Sequence, residues 1–373
     1  MALITHFFKT YFPDTQGGLE EAIRQMGKCA VKAGHKVRVV TVSPNPKHIE
    51  LDGIECISYK RNWGVSSMPV SYGYIKNFKK LVDETDIIQL HYPYPITELL
   101  AVFNKKTKPI VITYHAGIEG RPLITSCYAP FEKRLFKKAD VIVPTSTNLM
   151  MTTRRLDNFR DKCKEVNLWL DEERFENLKD VEDEFKAKVA GYGSFALFVG
   201  VLRFYKGLDI LLDAAKKCKN RIVVVGKGPE YLHLQKRIET EGITNVILTG
   251  YVPDEGVAYL LKRCAFLVLP SQSRGECFGQ VLLEAEYFHK PMISTELGTG
   301  TSVVNQDGIT GYVVPKADSV ALAKRMNELF CDEELRIKMG ETAYNRYKEN
   351  YTEDIQGPKY LEIYQSLLTK QNR

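Results

Sequence analysis

Short runs of apolar, mostly β-branched residues recur along this chain of 373 residues, and amphipathic helical patterns fit between them. A first series of predicted strands lies at 2–7, 37–42, 86–90, 109–114 and 140–145. A second lies at 195–199, 222–225, 246–249, 266–269, 292–294 and 311–314. Strands that are apolar throughout and alternate with helices are typical of parallel sheets covered on both faces. Two such series predict an α/β protein with two doubly wound domains.

A charged, irregular stretch at about 170–193 separates the two series and ends in Gly191-Tyr192-Gly193, as expected of a linker. We therefore predict an N-terminal domain over 1–175 and a C-terminal domain over 190–350. A final helix at about 355–373 is expected to pack back onto the N-terminal domain.

The composition excludes several classes of protein. Hydrophobic residues make up 44% and charged residues 26%, which is typical of a packed globular chain and not of a disordered or collagen-like one. No apolar run approaches the roughly 18 residues of a membrane span, and the N-terminus lacks the pattern of a signal peptide. Eight cysteines are scattered without metal-site spacing, which predicts reduced thiols in a cytoplasmic protein and no bound metal.

The positive charge is concentrated in the first half of the chain. Residues 1–180 hold 27 Lys+Arg against 21 Asp+Glu, whereas residues 181–373 hold 25 of each. A basic half suggests nucleic acid, an anionic membrane or a phosphorylated substrate as partner, with a solvated surface as the alternative. Residues 74–82 and 131–138 mix cations with apolar residues, and as helices they would present both to a membrane surface. Alternatively, Leu135 and Phe136 pack in the core.

Ligands of doubly wound domains bind at the carboxyl ends of the strands, so the loops that follow the strands are the candidate sites. Gly17 and Gly18 follow the first strand and open a helix, where the backbone can approach an anion closely; a plain turn is the alternative. His115 follows the strand at 109–114 and could contact a substrate hydroxyl, or be structural. His91 ends another strand, and we interpret it as structural.

Two loops of the second series carry charges and glycines, and the first of them suits a diphosphate, with a solvated pair of cations as the alternative. Arg203 and Lys206 lie between the strand at 195–199 and its helix, where Arg offers a fork and Lys a point charge to phosphate oxygens. Gly226 follows the next strand in a Gly-Lys-Gly-Pro turn, which either contacts a ligand or is a plain turn. The loop with Arg203 and Lys206 does not match the P-loop, so nucleotide hydrolysis is not indicated, and the loop with Gly17 and Gly18 does not match the dinucleotide-binding pattern.

The most informative loop is Ser271-Gln-Ser-Arg-Gly-Glu276-Cys-Phe278-Gly279, which leads into a predicted helix containing Glu284. The two glutamates are eight positions apart, which would separate them by about 12 Å along a continuous helix. Such a pair suits two contacts along one extended ligand and does not suit a shared proton; a charged helix face is the alternative. Phe278 and Gly279 would offer backbone amides at the start of the helix.

With these motifs in family order, the sequence resembles the retaining family 4 glycosyltransferases of the GT-B fold, which have two Rossmann-like domains facing across a cleft. The resemblance spans about residues 1–315 and includes Gly250-Tyr-Val-Pro and Pro270-Ser271. His6-Phe-Phe-Lys-Thr-Tyr-Phe-Pro-Asp14 and the segment 296–306 resemble a narrower group. That group comprises bacterial transferases, often mannosyltransferases, that build O-antigen and other surface polysaccharides.

The resemblance implies a role for each candidate residue toward a nucleotide-diphosphate sugar. It implies that Arg203, Lys206 and Gly18, beside Gly17, hold the diphosphate, and that Glu276 contacts the sugar hydroxyls. It also implies that His115 lies near the anomeric centre. The resemblance further implies that the amides of Phe278 and Gly279 lie beside Glu276 at the sugar and that Glu284 holds the ribose. It implies that Tyr251 and Val252 lie near the base and that Gly226 is also a donor-binding residue.

The implied reaction is retaining, needs neither metal nor cofactor, and transfers a hexose, with mannose from GDP-mannose as the first expectation. The implied acceptor is a saccharide linked to a polyprenyl diphosphate at the inner face of the cytoplasmic membrane, with no nucleic acid involved. A UDP-sugar donor is the main alternative. Less favoured alternatives are a GT-B phosphorylase or epimerase, and a non-catalytic binder of an anionic polymer.

Overall fold

The computed structural model describes residues 1–65, 68–118 and 122–371 and divides the chain into two compact units. Unit 1 comprises residues 1–169 and 353–373, and unit 2 comprises residues 170–352. The stretch 170–193, which the sequence suggested as a linker, contains two short helices and lies in unit 2.

The strands, in chain order, are β1 (Leu3–Phe7), β2 (Lys36–Ser43), β3 (His48–Leu51), β4 (Ile54–Lys60), β5 (Trp63–Val65), β6 (Met68–Val70), β7 (Ile87–Tyr92), β8 (Ile110–Tyr114), β9 (Val141–Pro144), β10 (Phe195–Val199), β11 (Arg221–Val225), β12 (Val246–Gly250), β13 (Phe266–Leu269), β14 (Met292–Thr295) and β15 (Gly311–Val314). Each strand predicted from an apolar run is present, with ends shifted by at most two residues.

The α-helices are α1 (Gly18–Lys32), α2 (Tyr72–Glu84), α3 (Pro95–Phe103), α4 (Pro122–Lys138), α5 (Thr147–Thr152), α6 (Glu173–Glu176), α7 (Asp183–Ala190), α8 (Leu208–Ala215), α9 (Tyr231–Thr240), α10 (Asp254–Arg263), α11 (Gln280–Tyr287), α12 (Thr301–Val304), α13 (Ser319–Cys331), α14 (Glu333–Asn350) and α15 (Glu353–Gln371). Short 3₁₀ segments lie at Arg154–Lys162 and Phe204–Lys206. Side-chain oxygens of Ser71, Ser146, Asp318 and Asp332 cap the N-termini of α2, α5, α13 and α14.

The sheet of unit 1 has the strand order β3-β4-β2-β1-β7-β8-β9. Its pairs are parallel, apart from β3, which runs antiparallel to β4 at one edge. The central strands β7 and β8 are buried at every position. In contrast, β3 and β4 have half-exposed positions, and because they lack a continuous apolar run, the sequence pattern did not reveal them. Strands β5 and β6 form a separate antiparallel pair.

The sheet of unit 2 is entirely parallel, with the order β12-β11-β10-β13-β14-β15. The chain starts at β10 and fills one side first, and then returns to fill the other side from β13. The order therefore reverses between β10 and β13, and loops on the two sides of this reversal point leave room for a ligand at the carboxyl ends of the strands.

The C-terminal helix α15 belongs to unit 1 and packs against β7, β8 and α1. The Tyr360 hydroxyl hydrogen-bonds the Thr113 hydroxyl at 2.9 Å, and the Tyr364 hydroxyl donates to Gln89 Oε1 at 3.1 Å. Gln89 in turn donates to Thr113 at 2.7 Å. These buried polar groups satisfy one another and fix the helix on the sheet.

Candidate active site

The loop after β10 approaches the loop after β13 at the reversal point of the unit 2 sheet. Gly207 has φ +70°, and a β-carbon there would lie 1.9 Å from the Pro270 carbonyl oxygen. The Gln272 amide donates to the Tyr205 carbonyl at 2.7 Å. Only glycine fits so close to a neighbouring backbone in the left-handed region. Gly207 therefore allows the loop that carries Arg203 and Lys206 to meet the loop that carries Glu276.

Lys206 and Glu276 form an ion pair where these two loops meet. The Lys206 ammonium contacts Glu276 Oε2, and the Ser271 hydroxyl donates to the same oxygen at 2.9 Å. The side chains are 12% and 9% exposed. Burial by itself would lower the pKa of Lys206, but the Glu276 carboxylate raises it overall, so the ammonium stays charged. The pair supplies a fixed cation and a fixed carboxylate at the carboxyl ends of the central strands β10 and β13.

Arg203 lies three positions before Lys206 and has a different environment. Its side chain is exposed, and within the described parts of the chain its guanidinium makes no hydrogen bond or ion pair. A guanidinium with five donors and no protein partner is suited to bind an anion such as a phosphate group.

The start of α11 presents backbone amides beside this pair. Gly279 is the N-cap with φ +75°. Among the described residues, the Phe278 and Gly279 amide nitrogens donate no hydrogen bond. The Thr299 hydroxyl donates to the Glu276 carbonyl at 2.8 Å and holds the preceding backbone in place. Amides at a helix N-terminus favour an anion or an electronegative oxygen.

Glu284 lies within α11, but Glu276 precedes the helix. A separation of about 12 Å between the two glutamates was expected if one continuous helix held both. This estimate does not apply, because the helix begins at Gln280. Glu284 accepts a hydrogen bond from Arg174 at 3.0 Å, and Arg174 also binds Asp254 through two contacts at 2.8 and 2.9 Å. Burial raises the pKa of Glu284, and the Arg174 guanidinium opposes this rise.

The loops after β11 and β12 carry the remaining predicted residues of unit 2. Gly226 has φ +139°, and a β-carbon there would lie 1.9 Å from the Gly200 carbonyl oxygen, so the loop after β11 touches the loop after β10. Tyr251 is 61% exposed, with the Lys227 ammonium 5.9 Å from its ring centre, whereas Val252 is buried. Tyr251 offers an exposed aromatic face, which suits stacking on a planar ligand.

Gly17 and Gly18 lie at the start of α1 in unit 1. Gly17 is the N-cap in extended conformation, and Gly18 is the first exposed residue of the helix. Glu20 Oε1 accepts hydrogen bonds from the Thr10 and Thr15 hydroxyls at 2.8 and 2.9 Å. These bonds fix the loop between β1 and α1.

His115 follows β8 directly and is 1% exposed. Its Nε2 lies 3.0 Å from His91 Nδ1, and among the described residues its Nδ1 has no hydrogen-bond partner. Burial lowers the pKa of His115 to about 3, with a further contribution from the positive charge of Lys9. The imidazole is therefore neutral, and its Nδ1 is a buried nitrogen without a partner in the described chain.

Sequence reasoning missed His6 and Arg174 and interpreted His91 as structural. The structure places His6, His91 and His115 in one hydrogen-bonded row, and it places Arg174 between the two carboxylates Asp254 and Glu284. Three histidines at the ends of successive central strands were a usable signal, whereas nothing in the spacing pointed to Arg174.

Most apolar residues of the two basic segments of unit 1 are buried, although Ile75 is exposed. Leu135 and Phe136 of α4 are 0% and 1% exposed, and Phe78 of α2 is 3% exposed. The alternative of core packing is therefore correct for these residues, as amphipathic helices require. Lys138 is also turned inward, since its ammonium binds the Ala101 carbonyl at 2.6 Å. The exposed cations are Lys76, Lys79, Lys80, Lys133, Arg134 and Lys137.

All eight cysteines are free thiols. The absence of a metal stays a prediction. In the described part of the chain, Asp209, Glu230 and His233 place ligating atoms within 4.8 Å of one another, but Arg237 already binds Asp209 at 2.8 Å. None of the helices in the described ranges is both long enough and apolar enough to span a bilayer.

The fold and these loops define a GT-B protein. Solved structures with the same fold include sucrose-phosphate synthase from Thermosynechococcus elongatus, with a TM-score of 0.81 at 17% identity over 99% of this chain and all of that one. Another is HepE of Anabaena in complex with UDP-glucose, with a TM-score of 0.79 at 15% identity over 98% of this chain and all of that one. At such identities the likeness shows the fold alone, and it confirms the predicted GT-B architecture.

Sequence comparison then identifies the family. A model described as Glycosyltransferase Family 4 matches residues 16–174, and one described as Glycosyl transferases group 1 matches residues 180–346. O-antigen chain mannosyltransferase C of Escherichia coli is 35% identical over 98% of both chains. D-rhamnosyltransferase WbpZ of Pseudomonas aeruginosa is 34% identical over 94% of this chain and 92% of its own. The chain belongs to glycosyltransferase family 4.

Proposed function

We propose that this glycosyltransferase moves mannose from GDP-mannose to a saccharide acceptor, with retention of anomeric configuration, in the synthesis of a surface polysaccharide such as O-antigen. Two relatives support the proposal, because one is named an O-antigen chain mannosyltransferase and the other a D-rhamnosyltransferase, and both align over nearly the whole chain. The observation that carries it is the buried Lys206–Glu276 pair beside the exposed Arg203 at the reversal point of the unit 2 sheet.

Each group of this site has a proposed partner on the donor. Lys206 and Arg203 bind the diphosphate and neutralise the charge that grows as the nucleotide leaves. Glu276 accepts hydrogen bonds from hydroxyls of the sugar, and the free amides of Phe278 and Gly279 donate to its oxygens. The nucleotide is held by Glu284 at the ribose and by Tyr251, near Val252 and Gly226, at the base. On unit 1, Gly17 and Gly18 offer backbone contacts to the phosphates, and His115 contacts the sugar.

The proposed chemistry needs neither a protein base nor a metal. In a front-face displacement, the departing phosphate oxygen takes the proton of the acceptor hydroxyl while the new glycosidic bond forms on the same face. The protein then contributes mainly by positioning the reactants and by stabilising negative charge on the diphosphate.

The acceptor is proposed to bind unit 1. This unit holds 28 Lys+Arg against 19 Asp+Glu, whereas unit 2 holds 24 against 27. The net positive charge of the protein therefore comes from unit 1. A small cavity of unit 1 opens beside the glycine loop and is lined by Thr10, Asp14, Thr15, Val42, Pro44, Arg61 and Pro69. Its hydroxyls, carboxylate and guanidinium suit a saccharide or a diphosphate.

The lipid part of a polyprenyl-linked acceptor has a matching surface close to this cavity. Trp63 of the β5–β6 pair is 60% exposed, and Val65 and Met68 of the same pair are also exposed. Tyr72, the first residue of α2, is 64% exposed. The Asn62 side chain accepts a hydrogen bond from the Tyr72 amide at 2.8 Å, which joins the β5–β6 pair to α2. Exposed aromatic residues beside the cations Lys60 and Lys76 favour the interface of an anionic membrane.

The donor is tested by thermal shift with GDP-mannose, GDP and a panel of UDP-sugars at equal concentration. A ligand that binds the folded state raises Tm by mass action, and we expect GDP-mannose to raise it most. Transfer to a polyprenyl-diphosphate saccharide is then followed by GDP release, and the anomeric configuration of the product is read by NMR. If only UDP-sugars raise Tm, the donor assignment is wrong and the UDP-sugar alternative holds.

Membrane attachment is tested by flotation with anionic liposomes at low and high salt. We expect the wild type to float at low salt and less at high salt. One variant changes Trp63 and Tyr72 to Ala, and a second changes Lys133, Arg134 and Lys137 to Glu; both should float less. Lys138 is left unchanged because it binds carbonyls at the end of α3. Equal flotation of the wild type and both variants would reject the proposed surface.

A further inference from the structure

Three buried histidines form a hydrogen-bonded row across the centre of the unit 1 sheet. His6 Nδ1 lies 2.9 Å from His91 Nε2, and His91 Nδ1 lies 3.0 Å from His115 Nε2. Successive rings are nearly parallel, with centroids 5.2 and 5.3 Å apart. All three are at most 1% exposed.

The strand register explains why the rings meet. His6 on β1 lies opposite Gln89 on β7, and His91 on β7 lies opposite Thr113 on β8. His91 is therefore two residues beyond Gln89, and His115 is two residues beyond Thr113. Side chains two residues apart in a strand point to the same face. The row ends at His115, at the carboxyl end of β8, where ligands of such sheets bind.

Proton counting restricts the row to two arrangements. Burial lowers the pKa of His6 and of His115 to about 3 and that of His91 well below its ordinary value, so all three rings are neutral. Three neutral imidazoles carry three N–H groups, and the two contacts between rings use two of them. The third N–H lies at one end of the row, and the other end has a lone pair. The two ends are His115 Nδ1 and His6 Nε2, and within the described chain neither has a partner.

The charge of Lys9 favours one arrangement. The positive charge of its ammonium lowers the pKa of His115, whereas it does not contribute to the lowered pKa of His6 or of His91. A positive charge near the His115 end of a polar row attracts the lone-pair end and repels the N–H end. In the arrangement that this charge favours, His115 Nε2 would donate to His91 and His91 Nε2 would donate to His6.

We propose that His6 and His91 are positioning residues that hold His115 as the Nε2–H tautomer, so that His115 Nδ1 accepts a hydrogen bond from a sugar hydroxyl. The part that concerns the sugar rests on the proposed function, whereas the tautomer does not. A buried acceptor without a partner is costly, and a ligand hydroxyl that reaches Nδ1 would satisfy it.

The tautomer is measured directly in the full chain labelled with ¹⁵N-histidine, since ring nitrogens with and without a proton differ in chemical shift. The chain has seven histidines, and single-site variants assign the NMR signals to each of them. We expect His115 to be the Nε2–H tautomer in the wild type. His115 found as the Nδ1–H tautomer, or as an even mixture, overturns the inference, and this measurement needs no variant.

His91→Phe keeps a ring in place and removes both bonds of the row. We expect the His115 signals to change to a mixture of tautomers in this variant. His35→Phe is the matched control, because His35 lies in unit 1 but outside the row, and it should leave the His115 signals unchanged. A pure Nε2–H tautomer at His115 in His91→Phe would mean that the row does not set it.

Transfer from GDP-mannose provides the second measurement. We expect kcat to fall about tenfold in His91→Phe with little change in KM, because one oriented hydrogen bond is lost to the reacting sugar. An unchanged kcat beside a changed tautomer overturns the catalytic part of the inference. If the wild type transfers no sugar from GDP-mannose, the proposed donor fails, while the tautomer measurement still decides the row.

Discussion

The ammonium of Lys206 and the carboxylate of Glu276 form a buried ion pair, although the two residues are 70 positions apart in the chain. The pair couples the loop after β10 to the loop after β13. It brings the residue predicted to bind the diphosphate, Lys206, into contact with the residue predicted to bind the sugar, Glu276. Removing one partner is therefore expected to change both the stability of these two loops and the electrostatic field at the proposed donor site.

Lys206→Met should lower the stability of the folded protein, because it leaves the Glu276 carboxylate buried without its cation. The expected loss is about 3 kcal/mol, as is typical when one partner of a buried pair is removed. Adding Glu276→Gln in the same background should restore part of that loss. The four proteins form a double-mutant cycle measured by urea unfolding. A double variant no more stable than Lys206→Met would mean that the pair is not coupled.

Arg203→Ala should abolish most transfer without unfolding the protein. The side chain is exposed, so Tm should stay within about 1 °C of the wild type, since surface substitutions usually cost little. Loss of one charged donor to the leaving diphosphate should lower kcat about 100-fold. Arg263→Ala, at the exposed end of α10, is the control and should retain full turnover. Near-normal turnover in Arg203→Ala would refute its role at the diphosphate.

Glu276→Gln and Glu284→Ala should differ in the kinetic parameter that they change. Glu276 lies beside Lys206, so its loss should lower kcat more than donor affinity. Glu284 lies beside Arg174, away from the reacting bond in the proposed site, so its loss should mainly weaken donor binding. Steady-state kinetics and calorimetric titration separate the two effects, with Glu239→Ala on the exposed face of α9 as control. Equal effects on both parameters in both variants would contradict this division.

Glu286→Met should stabilise the protein increasingly as the pH rises. Glu286 is fully buried, and within the described residues neither carboxyl oxygen has a hydrogen-bond partner. Burial raises its pKa well above 4.5, against the opposing charge of Arg346. The folded state therefore binds a proton that the unfolded state releases above pH 4.5, and stability is lost as the pH rises toward the folded pKa.

Removing this carboxyl abolishes that loss. We expect a gain of about 1–3 kcal/mol at pH 8, the usual penalty of an unsatisfied buried group, and a smaller gain at pH 5. Thermal melting of wild type and variant at the two pH values checks the prediction. A variant that melts below the wild type at pH 8 would show that Glu286 is satisfied in a way the structure does not contain.

The sequence alone predicted much of the fold and the chemistry of its loops. Strands such as Phe195–Val199 are apolar throughout, and a parallel sheet buried on both faces is the common environment of such runs. Arg203, Lys206, Glu276 and Glu284 were identified as candidates because charged residues and glycines at strand ends stand out locally against apolar runs. The half-exposed strands β3 and β4, at one side of the unit 1 sheet, lacked that contrast and were missed.

Only the tertiary structure decided which of these groups meet. The Lys206–Glu276 pair joins two loops from opposite sides of the sheet reversal, and Arg174 reaches Glu284 from 110 positions away. The row of His6, His91 and His115 depends on the register of three strands, since a shift of one residue would turn a ring to the other face. Sequence spacing records order along one chain, whereas contact across a sheet depends on strand order and register, which are fixed only when the whole core packs.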